Sequence, residues 1–180
     1  MQWLKYFIVH RRSRAQRLKD FSSKNTELRF CHLFLRRMAV DKNTLVAVHY
    51  ILSDLLRIPI NKKLFVRRIG QVAAAATCHE NELILAIILL LRALQSNAHI
   101  TEKNIYYQYF VAITLANSYL YDAQLSLSQW AQSCWVTVEP SKIFGAQLLF
   151  LSDVDWDLCV SEADYMEIAL CIDLLCEVYA

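Results

Sequence analysis

Apolar positions along this chain recur at three- and four-residue intervals, and polar breaks divide them into segments of helical length. Leu28, Cys31, Leu35 and Met38 share one face, with Phe30 and Phe34 beside them, and predict a helix starting near Thr26. A break at Asp41 to Asn43 precedes a second helix, capped by Asn43 or Thr44, with Leu45, Val48, Leu52 and Leu55 on one side; it must end by Ile58, ahead of Pro59. Asn61 caps a third, to about Ala76, with Leu64, Phe65, Ile69 and Val72 inward and Lys62, Lys63, Arg67 and Arg68 in water. Its Gly70 and Ala73 to Ala76 leave room for a close neighbour. Thr77 and Glu80 have capping-box spacing before the helix Glu82 to Gln95, which is apolar almost all round and so belongs in a core. Thr101 caps the next, through Ile105, Tyr109, Ala112, Ala116 and Tyr119 to Tyr121. Ser126 with Gln129 opens a short helix ending near Cys134, Pro140 opens one to about Ser152, and Ser161 with Asp164 opens one to Val178.

Composition agrees with this all-α reading. Two glycines and two prolines in 180 residues are too few for a many-turned β architecture, and 56% hydrophobic residues exclude a chain disordered throughout. The length suits one domain. The longest strictly apolar run, Leu83 to Leu91, is about half of what a bilayer needs. Together these imply no transmembrane segment and a soluble protein of the cytoplasm or nucleus.

Charge is distributed unevenly. Residues 1–75 hold 16 Lys and Arg against 4 Asp and Glu, a net +12, while residues 76–180 hold 3 against 13, a net −10. Such polarity steers partners more than it shapes folds. Residues 1–25 form a basic segment, with six cations before the first acid at Asp20. It reads as a solvated tail, as a basic amphipathic helix that addresses a membrane or mitochondrion, or, over His10 to Arg17, as a nuclear-import or nucleic-acid patch. Residues 26–180 read as one helical domain.

Candidate chemistry is sparse. The six cysteines have no C-x-x-C pair and no histidine at zinc spacing, and read as small buried hydrophobes. Asp153, Asp155 and Asp157 lack the glycine and distal glutamate of a calcium loop and read as a solvated turn. No glycine-rich phosphate loop, G-x-S-x-G elbow or H-E-x-x-H pair is present, and His79-Glu80 reads as a helix start. The expectation is a protein that is not an enzyme and uses no metal or cofactor.

Residues 59–152 nevertheless fall into the order of a five-helix cyclin box: Asn61–Ala76, Glu80–Gln95, Glu102–Tyr121, Leu127–Cys134 and Pro140–Ser152. The stretch FLSDVDWDLCVSEADY, Phe150 to Tyr165, resembles the fungal Pho-type (Pcl) cyclins, as does ANSYLYD, Ala116 to Asp122. Thr26 to Met38 and the Ser118-Tyr119 pair are similar to the neuronal-type cyclin-like activators of cyclin-dependent kinases. The resemblance implies a regulatory subunit that activates a cyclin-dependent protein kinase. It would do so by packing an apolar face, from the third and fifth box helices, against the kinase's mobile helix. The implied docking residues are Leu115, Ser118, Tyr119 and Asp122 with Phe144, Gln147, Leu148 and Leu151. Cyclins usually carry a lysine and a glutamate where this chain has Ser118 and Gln147, so both charges are absent together. Two other readings remain: a cyclin-fold scaffold without kinase binding, and a cyclin-fold nucleic-acid-binding factor using the basic amino-terminal half.

Overall fold

Asp41 starts the first described helix. Its carboxylate accepts a hydrogen bond from the Thr44 N–H at 2.7 Å and caps α1, Lys42–Leu56. The cap is thus neither Asn43 nor Thr44: a carboxylate on extended backbone suits a helix start, where the dipole favours negative charge. The computed structural model describes residues 40–96, 99–122 and 124–179, all within the unit Arg37–Ala180. The expectations for residues 1–25, for the helix over 26–38 and for Cys31 fall outside them.

α1 stops at Arg57, in left-handed backbone. Asn61 then caps α2, Lys62–Ala75, by accepting from the Leu64 N–H at 3.0 Å, as the sequence implies. Phe65, Ile69 and Val72 are fully buried. At Gly70 a Cβ would stand 3.1 Å from Leu45 Cδ1, so α1 passes close by. The alanine run serves only in part, since Ala73 and Ala76 are buried while Ala74 and Ala75 face water. Arg68 is also less exposed than its charge suggests: its guanidinium lies over the rings of Tyr106 and Trp135, 4.9 and 5.3 Å from their centroids.

Thr77 and Glu80 do not form a capping box. Thr77 ends α2 instead, with φ 53, while the Cys78 N–H returns to the Ala73 carbonyl at 2.9 Å. A residue in that left-handed conformation cannot also supply the extended cap of a following helix. The cap of α3, Glu80–Gln95, is His79, whose N–H donates to the Glu82 carboxylate at 3.0 Å. Every residue from Asn81 to Leu90 is buried. α3 is the centre of the described fold, packed on α4 most extensively and also on α1, α6 and α7.

α4, Ile105–Leu120, begins later than Thr101. The Asn104 carboxamide accepts from the Thr101 N–H and donates to the His99 carbonyl, each at 2.7 Å, holding a turn ahead of the helix. Ser126 and Gln129 form the expected capping box of α5, Leu127–Ser133. Pro140 starts α6, Pro140–Asp153, and Ser161 with Asp164 opens α7, Glu162–Tyr179. The fold is all-α, and helices stand at each of the five spans expected between residues 59 and 152.

Buried polar groups join these helices. Buried His49 shares a 2.8 Å hydrogen bond between Nε2 and the Ile60 carbonyl, and the Tyr109 hydroxyl donates to the Leu83 carbonyl at 2.9 Å. The Tyr165 hydroxyl meets Asn81 Oδ1 at 2.6 Å. Burial pushes up the Cys78 thiol, to about 12, and raises the Tyr109 phenol, so both stay protonated near neutral pH.

Candidate functional site

α4 and α6 pack side by side, as the docking reading requires of its two helices. Thr114 on α4 is fully buried, and its hydroxyl accepts a hydrogen bond from Gln147 Nε2 at 2.8 Å. This bond fixes the relative register of the two helices. The bonded pair is polar but neutral; Ser118 lies one turn beyond Thr114, and Leu151 one turn beyond Gln147. Gln147 therefore has a partner within the protein, and the Ser118 carbonyl accepts from Gln124 Nε2 at 3.1 Å.

The other candidates divide by exposure. Leu115, 5% exposed, belongs to the core and can only support the face from below. Tyr119, Phe144 and Leu148 are 47%, 50% and 39% exposed. Phe144, Leu148 and the half-buried Leu151 follow a helical i, i+4, i+7 stripe on α6. Asp122, also exposed, follows the end of α4. The result is an apolar strip beside a neutral polar seam.

The turn from α6 to α7 borders Tyr119. Desolvation raises the Tyr119 phenol, and the Cys159 thiol and Asp157 carboxylate raise it further, against the opposing charge of Arg92. Arg92 ties this turn to α3, donating to the Asp157 carbonyl at 3.1 Å and pairing with its carboxylate at 3.5 Å. Asp155 and Trp156 are both left-handed, with φ 52 and 60, and the Trp156 N–H closes on the Leu151 carbonyl at 2.8 Å. Trp156 is 63% exposed as a result. The aspartates of this stretch mark a solvated turn in the sequence, and the aromatic flanked by them, Trp156, is the signal for its exposed indole.

Among the described residues no group of three or more His, Cys, Asp or Glu is placed to hold a metal ion, and Asp155 and Asp157 are exposed in the expected solvated turn. No described helix is long and apolar enough to cross a membrane. A second cluster lies on α1 and α2 and includes Lys62, Lys63 and Arg67, expected in water from the helical pattern, together with Lys42. There Lys42, Lys62, Lys63 and Arg67 border a cleft of about 650 Å³.

Comparisons of the chain with protein-family models, with characterised proteins and with solved structures find no match.

Proposed function

We propose that this protein is a cyclin-like regulatory subunit that binds and activates a cyclin-dependent serine/threonine kinase of the Pho-type or neuronal-type class. The observation that carries the reading is the exposed apolar strip of Phe144 and Leu148 on α6, with Tyr119 on the adjacent α4. Exposed aromatic and aliphatic side chains on two mutually braced helices are suited to receive an amphipathic helix. Activation follows if the strip contacts the kinase helix only in its active position, because a binding partner shifts an equilibrium by its differential affinity for the two states. With neutral Ser118 and Gln147 in place of a lysine and a glutamate, recognition rests on shape and apolar burial rather than on charged contacts to the kinase backbone.

A pull-down against a panel of cyclin-dependent kinases, scored for retention and for kinase activity, tests this reading. Phe144→Asp and Leu148→Asp alter exposed side chains and are expected to abolish retention while leaving the unfolding midpoint nearly unchanged. Ser118→Arg and Gln147→Arg probe the neutral seam and are expected to weaken it. Retention by no kinase, or retention indifferent to Phe144→Asp and Leu148→Asp, would overturn the proposal.

A further inference from the structure

The first turns of α1 and α2 border the same cleft, and both carry cations where a helix favours anions. Lys42 is the first residue of α1, Lys62 and Lys63 are the first two of α2, and neither first turn contains an acidic residue. Arg67 adds a fourth cation to the rim. Among the described residues the four make no ion pair; the nearest carboxylate in sequence, Asp41, is engaged at the cap of α1. Cations in a first turn oppose the helix dipole; the Asp41 carboxylate offsets this at α1, and the neutral Asn61 cap does not at α2.

The cleft also has an apolar part. Val46, buried on α1, and Val66, half-buried on α2, line it between the cations, and Tyr179 at the end of α7 forms one wall. Tyr179 is stacked on Tyr50 with ring centroids 4.9 Å apart, and Lys62 Nζ sits 5.1 and 5.6 Å from the centroids of Tyr50 and Tyr179. That stack holds Lys62 at the rim. Lys42, Lys63 and Arg67 make no such aromatic contact among the described residues and are exposed.

We propose that this cleft binds a phosphorylated peptide segment. The phosphoryl group is received by Lys42, Lys63 and Arg67, and a neighbouring apolar side chain of the peptide lies on Val46 and Val66. A phosphoryl dianion concentrates charge and hydrogen-bond acceptors at one point, as these cations converge on one concavity. A nucleic-acid strand instead spreads its phosphates along a track and stacks successive bases on several open aromatic faces, whereas the cleft is lined by one aromatic ring, Tyr179, with one face taken by Tyr50. The site is independent of kinase docking, which is assigned to α4 and α6, so either can fail without the other.

The probe is a degenerate peptide library with a fixed central phosphoserine, fluorescently labelled, compared by anisotropy with the same library carrying serine and with a single-stranded oligonucleotide. The full chain is expected to bind the phosphoserine library in preference to both. In Lys63→Ala with Arg67→Ala, affinity should fall about tenfold or more through loss of charge-assisted hydrogen bonds, while the unfolding midpoint stays level or rises because cationic repulsion is relieved. Failure to bind the phosphoserine library, equal binding of the two libraries, or undiminished binding by the double variant would overturn the proposal. Tighter binding of the oligonucleotide would overturn it in favour of nucleic acid.

Discussion

The Tyr121 hydroxyl donates to Glu82 Oε2 at 3.2 Å, although the two residues are 39 positions apart, and so joins the start of α3 to the residue that ends α4. Glu82 is 1% exposed; its carboxylate also accepts from the His79 N–H at 3.0 Å and, more weakly, from Asn117 Nδ2 at 3.4 Å. One side chain thus caps its own helix and ties down the next.

Glu82→Ala removes an acceptor shared by a backbone donor and two side chains in a buried site. The expected loss is about 2–4 kcal/mol of stability. Glu82→Gln keeps one acceptor oxygen and should lose less. Urea unfolding of the two variants, with unchanged slopes, checks the order.

Thr77→Gly should stabilise the protein. A β-branched residue at φ 53 bears a cost that glycine does not, and the gain is about 1 kcal/mol. A rise in the thermal midpoint confirms it; a fall would mean that the threonine side chain contributes more than its backbone conformation costs.

Gly70 allows the approach of α1 to α2. Gly70→Ala is expected to be nearly neutral, because about 0.5–1 kcal/mol of helix propensity is offset by displacing Leu45 Cδ1, which stands 3.1 Å from the new Cβ. Gly70→Val overfills the contact and should cost about 1–3 kcal/mol. Denaturation midpoints separate the two.

Alkaline pH should weaken the fold through Cys78. In the unfolded chain the thiol ionises from its ordinary value of 9.0, whereas burial, aided by Glu82, holds it protonated to about 12 in the folded protein. Between those values the unfolded state binds fewer protons, so stability is fully present below pH 9.0 and declines as pH rises toward about 12. The raised phenols of Tyr109 and Tyr165 add with the same sign. Stability measured against pH in Cys78→Ala should decline less steeply than in the unaltered protein.

The helical periods, the Asn61 cap, the Ser126–Gln129 box and Pro140 were legible because each depends on residues a few positions apart. The misread starts have local competitors: Asp41 outranks Asn43 or Thr44 as a cap, Asn104 captures Thr101, and Thr77 is used to end α2. The α4 and α6 candidates were found through resemblance. Their sorting into a buried Leu115 and exposed Phe144 and Leu148 depends on how the two helices are rotated against each other. The basic cleft was not legible as a site. Lys42 is 20 residues before Lys62, and nothing in helical spacing brings the starts of two successive helices together.

The burial of α3 also sets an order of events in time. Unbroken burial from Asn81 to Leu90 leaves the middle of α3 no solvent-facing side, so its central amides open only when the surrounding helices detach, whereas its last turn, to Gln95, can fray. In deuterated water those amides should be the last to exchange, at a rate that reports global unfolding. Those of α5, seven residues long and at the margin of the bundle, should exchange early.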